Sequence, residues 1–222
     1  MDYQRLAYFL GVLQTDGKLT TYNTMKRNKI YKRTDIGVHV GIKSIPMLKE
    51  FRKTLREVYG RDLTIHTLRD GTIDIHTSVN KLLKRFGKEG IAKTGIPAWV
   101  SNYEANFGAY LAGVIDGDGD VRIKRMQSPQ YVIRITDDKK NKKLISIIEK
   151  FMKCGVSVTK RYGISVFRDG RIVEGRWHET EFCISRKNVL FIKNCILPHI
   201  RIVHKKNRIR EGVHEKLKLL DL

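Results

Sequence analysis

Two aspartates set in closely similar surroundings are the first residues in this chain that could do chemistry. Asp16 ends the segment Ala7 to Gly17, AYFLGVLQTDG, and Asp118 ends the segment Ala109 to Gly119, AYLAGVIDGDG. Six of the eleven positions are identical. The two copies begin about half a chain length apart, so an internal repeat precedes any other reading of the fold. Each copy reads as an apolar helix that stops at an acid followed by glycine. An Asp-Gly after the last helical turn is an ordinary stop. Yet an aspartate at a helix C-terminus has the wrong sign for the macrodipole, at ~0.3–1 kcal/mol. Gly11 and Gly113, inside the two helices, each cost about 1 kcal/mol relative to alanine. A small residue there permits another backbone to come close. If the repeats pack about a pseudo-twofold axis through these helices, Asp16 and Asp118 meet at the helix ends. Two neighbouring, partly desolvated carboxylates repel unless a proton or a cation intervenes. A hard divalent cation with oxygen ligands, such as Mg²⁺, is the simplest neutraliser. Paired acids with such a cation, beside a basic surface, point to phosphodiester hydrolysis.

The rest of the composition agrees. The chain has 222 residues with 41% apolar and 30% charged residues, which is globular rather than disordered. The formal net charge is +21, from 44 Lys and Arg against 23 Asp and Glu. The basic residues are spread along the chain, which favours a folded basic surface for a polyanion over a disordered arm. Nucleic acid is the first partner this implies and an anionic membrane surface the second. No run approaches the ~20 apolar residues of a membrane span, and the apolar N-terminal stretch lacks the basic leader and small-residue cleavage site of a signal peptide. Cys154, Cys183 and Cys195 form no CxxC pair; they read as buried small apolar residues in a reducing, intracellular setting. His66 and His76 lack HExxH or HxxxH spacing and read as strand histidines on a polar face.

The elements that must position the aspartates repeat in order. After the first motif come strands over 18–25 and 31–42, a helix opened by Ser44 and Pro46, a hairpin over 63–68 and 72–77 turning at Asp70-Gly71, and a short helix over 80–86. After the second come strands over 121–125 and 131–136, a helix over 140–152, a longer hairpin from 156–160 to 181–185 whose loop spans 168–177, and a closing helix over 188–197. Alternating and helical apolar periods carry these assignments. The expected class is α+β: two pseudosymmetric α-β-β-α-β-β-α halves, 1–100 and 101–222, each with a four-stranded antiparallel sheet. Helices cover one face of each sheet and leave the other open. Residues 87–102 read as a connector and 201–222 as a basic tail with helical spacing, an ordinary surface helix.

AYLAGVIDGDG resembles the signature of the LAGLIDADG homing endonucleases, specifically the single-chain, two-motif members; FLGVLQTDG is a more degenerate copy, with Gln14 where the second has Asp116. The resemblance extends through about residue 200. It implies that the motif helices form the interface between halves and that the two sheets make a saddle over the DNA major groove. It implies that Asp16 and Asp118, with the backbone carbonyls of Thr15 and Gly117, bind divalent metal, Mg²⁺ with Mn²⁺ or Ca²⁺ able to occupy the same sites. Basic residues after the second strand of each half, Lys43 and Lys139 (with Lys140 the alternative to the latter), would stabilise charge on the phosphate. Strand alternation then places Thr20, Tyr22, Arg33, Asp35, His39, Thr64, His66, Asp74 and His76 of the first half toward DNA. In the second half it places Arg122, Lys124, Gln130, Arg134, Ser157, Thr159 and Arg161 there. The implied activity is a site-specific double-strand break in duplex DNA with short 3′ overhangs, in the manner of intron homing, by a monomer acting in the cytoplasm, nucleoid or an organelle matrix. The alternatives are an RNA maturase or a cleavage-inactive DNA-binding protein of the same type.

Overall fold

The computed structural model describes residues 2–68, 70–124, 127–137, 141–166 and 171–219. The chain runs α1 (Tyr3–Gln14), β1 (Gly17–Lys26), β2 (Lys29–Val40), α2 (Ile45–Tyr59), β3 (Thr64–Thr67), β4 (Ile73–Ser78) and α3 (Leu83–Glu89). A single turn, α4 (Ala98–Ser101), leads to α5 (Glu104–Asp118), β5 (Gly119–Lys124), β6 (Gln130–Asp137), α6 (Lys142–Met152), β7 (Ser157–Val166), β8 (Ile172–Cys183), α7 (Val189–Phe191) and α8 (Val203–Lys218). The sheets have equivalent orders, β1-β2-β4-β3 and β5-β6-β8-β7, and every pairing is antiparallel. Two four-stranded antiparallel sheets in an α+β fold are what the repeat predicted.

α1 and α5 are central because they are apolar on all sides, the mark of a helix buried all round. Leu6 to Leu13 and Phe107 to Asp116 are continuously buried. α1 is started by Asp2, whose carboxylate accepts the Arg5 N–H at 3.0 Å. α2 and α6 have one apolar face each. Phe51 of α2 stacks on Phe9 at 4.5 Å, and α2 ends on Gly60 in the left-handed region (φ 63°). α6 buries Leu144, Ile147 and Ile148 and is capped by Asn141, which accepts the Leu144 N–H. One apolar core runs through both halves.

Several sequence expectations need correction. Ser44 makes no side-chain cap; residues Ile42–Ser44 form a 3₁₀ turn and Pro46 fills the first turn of α2. The closing helix is mostly a π-helical turn over Ile192–Ile196, pressed so close to α5 that a side chain on Gly108 would collide with Cys195. The long loop expected over 168–177 is largely strand, because β7 and β8 continue pairing to Val166 and Ile172; 167–170 fall outside the described residues. The cysteines are free and half-buried rather than buried. The basic tail is a structural element: α8 buries Ile209 and Val213, and its Gly212 lies against the Tyr131 ring of β6, where no Cβ fits.

Candidate active site

The site begins where α1 and α5 cross. A Cβ on Gly11 would fall on the Tyr110 carbonyl and one on Gly113 on the Tyr8 carbonyl. The same exchange of glycine for neighbouring backbone occurs on both helices, so they cross in mutual backbone contact about a pseudo-twofold axis. Both then end at the same level, where Gly117 leaves no room for a side chain beside Thr15. Asp16 and Asp118 follow, close enough to feel each other. Partial burial, then the charge of Asp16, lifts the Asp118 carboxyl to about 6. Burial also raises Asp16, against the charges of Lys205 and then Lys93.

The sequence reading did not single out these two lysines. The Lys93 ammonium donates to the carbonyls of Leu13 (3.0 Å), Gln14 (3.2 Å), Thr15 (3.1 Å) and Gly17 (2.6 Å). Lys205, 8% exposed, donates to those of Ile115 (2.8 Å), Asp116 (2.7 Å) and Gly117 (3.3 Å). Each closes the C-terminal end of one motif helix, where the last carbonyls have no helical partner and the macrodipole favours a cation. Among the cations acting on Asp118, Lys93 comes first, and for Asp16 it is Lys205. Each lysine therefore caps one helix, and the charges of both act on both acids. The protein itself thus supplies positive charge that acts on both acids, besides the metal ion and the basic residues after the second strands that the sequence suggested. Burial lowers the Lys205 pKa, opposed by Asp116, Asp16, Asp120 and Asp118. Both lysines follow short apolar stretches, Ile91 and Ile202, in segments that read as connector and tail. No repeat spacing marked them.

Lys43 is exposed on the 3₁₀ turn after β2, and its charge reaches His204, the neighbour of Lys205. Lys139 and Lys140 lie outside the described residues.

Behind the acids, the two motif helices exchange hydrogen bonds. Tyr8 donates to Asp116 at 2.7 Å, and Tyr110 donates to the Gln14 Oε1 at 2.7 Å. Asp116, 1% exposed, also accepts the backbone N–H groups of Arg201 (2.7 Å) and Ile202 (3.2 Å). Gln14 does the converse, donating to the carbonyls of Ala92 (3.0 Å) and Gly95 (2.6 Å). A cavity of about 630 Å³ opens beside Gln14, Lys93, Tyr110, Asp118 and Asp137.

The strand register places all sixteen residues expected to face DNA on the uncovered faces of the two sheets. In the first, Thr20 pairs with Asp35, Tyr22 with Arg33, His39 with Asp74, Thr64 with His76 and His66 with Asp74, opposite in parity to buried Ile36, Val38 and Ile75. In the second, Lys124 pairs with Gln130, Arg122 with Val132, Arg134 with Glu181, Ser157 with Glu181, Thr159 with Glu179 and Arg161 with Trp177. Many are held by neighbours. Tyr22 and Arg33 both donate to Asp35 (2.7 and 2.8 Å), while His76 bonds Asp74 and stacks on His66. Arg134 and Arg161 converge on nearly buried Glu179 (2.6 and 2.9 Å), and Arg122 bonds Asp120. The acids Asp120, Glu179 and Glu181 share this face.

The two carboxylates at the helix ends are hard oxygens and fit a divalent cation such as Mg²⁺; the carbonyls of Thr15 and Gly117 beside them are hard oxygens that already accept Lys93 and Lys205. Among the described residues no group of three or more His, Cys, Asp or Glu side chains gathers as a metal site, and no helix is long and apolar enough to cross a membrane.

No family model matches the chain, and no curated protein sequence does. Solved structures do match over its whole length. The I-LtrWI LAGLIDADG homing endonuclease bound to target DNA is 15% identical, with a TM-score of 0.58 over 99% of this chain and 91% of that one. I-GzeII in complex with its DNA target is 12% identical, with a TM-score of 0.54 over 97% and 90%. I-SmaMI on an uncleaved DNA target in the presence of calcium ions is 14% identical, with a TM-score of 0.53 over 99% and 97%. The chain has the fold of the LAGLIDADG homing endonucleases.

Proposed function

We propose that this protein is a site-specific DNA endonuclease that hydrolyses one phosphodiester in each strand of a duplex, using Mg²⁺, and leaves short 3′ overhangs. What supports this is that Asp16 and Asp118 follow the ends of two helices in backbone contact, with the charge of Asp16 acting on Asp118, alongside two uncovered, strongly polar sheet faces. That three neighbours of this fold were solved on DNA supports the same partner here. Calcium in one of them supports divalent metal at the acids.

Asp16 and Asp118 would hold the metal, and the carbonyls of Thr15 and Gly117, which also accept Lys93 and Lys205, would offer further oxygens. The metal supplies Lewis acidity toward phosphate and water at neutral pH. Lys93 and Lys205 place positive charge where the phosphate gains negative charge, at no reorganisation cost during reaction. Their bonds to helix-end carbonyls fix both ammoniums in advance. Residues of the open sheet faces read the groove: Arg and Lys suit guanine, Gln suits adenine and Asp suits cytosine. Lysine and arginine contacts to phosphates supply most of the affinity.

The test is cleavage selection on a randomised or host-derived DNA library with and without Mg²⁺, followed by Asp118→Asn and Asp16→Asn. Cleavage falls by orders of magnitude in either variant while DNA binding persists. Full double-strand cleavage by Asp118→Asn refutes the role assigned to it, and metal-independent binding without cutting by the unmodified protein identifies a binding module instead.

A further inference from the structure

The polar residue two positions before each catalytic acid, Asp116 or Gln14, has a consistent set of partners. It bonds the segment that leads to the lysine of its own half, and it accepts the hydroxyl of a tyrosine from the other half. Asp116 holds the N–H groups of Arg201 and Ile202, which begin the turn into α8 and Lys205. Gln14 holds the carbonyls of Ala92 and Gly95, which bracket Lys93. Tyr8, 1% exposed, completes the first set, and Tyr110, 1% exposed, the second. The chemistry is complementary in each case. A carboxylate, acceptor only, meets two backbone donors; an amide turns its NH₂ to two backbone acceptors and keeps its oxygen for the tyrosine. A buried network of this kind is rigid when every member is satisfied.

We propose that Tyr8 and Tyr110 are positioning residues, each setting the lysine of the opposite half: Tyr8 acts through Asp116 on Lys205, and Tyr110 acts through Gln14 on Lys93. The two hydroxyls make the cleavage centres interdependent, because neither half can orient its lysine without the other half docked against it. Removing one hydroxyl leaves the α1–α5 contact, the acids and the sheets untouched, yet loosens one lysine segment and not the other.

This rests on the nuclease assignment only for its activity readout. Tyr8→Phe and Tyr110→Phe are compared on a selected substrate with each strand labelled separately. Lys205→Met and Lys93→Met identify which strand depends on which lysine. Tyr8→Phe slows the Lys205-dependent strand by about tenfold or more, the usual scale for losing a group that orients a functional residue, and changes the other strand less than about twofold; Tyr110→Phe shows the converse. In parallel, hydrogen exchange of the Arg201 and Ile202 amides in DNA-free protein quickens in Tyr8→Phe and stays unchanged in Tyr110→Phe. A purely structural role for the tyrosines weakens both strands together, and that result overturns the proposal. So does unchanged exchange at Arg201 and Ile202 in Tyr8→Phe. If no substrate is cut by the unmodified protein while exchange responds as expected, the nuclease assignment fails and the coupling stands.

Discussion

Gly113→Ala tests the crossing on which the site depends. Alone on a solvated helix, the substitution would stabilise by about 1 kcal/mol. Here the new methyl lands on the Tyr8 carbonyl and within 3.0 Å of the Val12 nitrogen. Both obstacles are backbone, so no rotamer change relieves them and the helices must part by roughly an ångström. A gap of about 0.5–1 Å already forfeits a quarter to a half of each dispersion contact lining it, and α1 and α5 are continuously buried from Leu6 to Leu13 and from Phe107 to Asp116. Overpacking of this kind costs about 1–3 kcal/mol even where side chains can yield. With backbone unable to yield, we set the net loss at about 2 kcal/mol after the helix-propensity gain. At about 2–4 °C per kcal/mol, Tm falls by roughly 4–8 °C. Gly41→Ala is the control, because φ there is −77° and nothing lies within 4 Å of the added atom. That substitution stabilises slightly, by about 0.4–1 kcal/mol through the unfolded chain. Chemical and thermal denaturation of both variants decide the matter. A Gly113→Ala protein as stable as the unmodified one would mean that the helices do not meet backbone to backbone, and the closeness of the two acids would lose its structural cause.

Three further expectations concern the acids, the lysines and the charge. Because the folded Asp118 carboxyl titrates near 6, above the ordinary 3.8, folding favours its protonated form, and ionisation as pH rises from about 4 through 6 removes stability. A cation restores it, so Mg²⁺ raises Tm more at pH 7.5 than at pH 5, and cleavage rises through pH 6; equal thermal shifts at the two pH values contradict this. Lys205→Met lowers cleavage of one strand by about 10²-fold or more, as loss of a preorganised charge does, and also destabilises the protein, since three helix-end carbonyls each lose a charged donor; cleavage of both strands at the original rate removes Lys205 from the site. Binding of DNA by a chain of net charge +21 weakens by about 10³–10⁵ between 50 and 200 mM salt if six to ten phosphates are contacted; a flat salt titration argues against a phosphate-tracking surface.

What the sequence made legible was whatever repeats or alternates. The paired motifs gave the two halves, and strand parity gave the open faces, because a side chain's face in a sheet is fixed by counting once one apolar neighbour such as Ile36 or Ile133 is known. Less legible were features set by long-range contact. Lys93 and Lys205 come from segments with no shared spacing, and what defines them is a cluster of carbonyls contributed by distant residues. α8 looked like a surface helix because its apolar positions are few, yet Gly212 lets it press on Tyr131. Glu179 of the second sheet was not legible because it lies on β8 N-terminal to the strand expected from 181, next to a stretch that read as a loop.

The seam behind the acids also bears on how the two halves have come to differ. A tyrosine hydroxyl can donate to a carboxylate or to an amide oxygen, more strongly to the former, so it suits either group from the opposite half. The exacting match is internal: Gln14 suits the carbonyls of its own half, and Asp116 suits the amides of its own half. Each half is thereby free to drift as a unit while its joint stays compatible with the other.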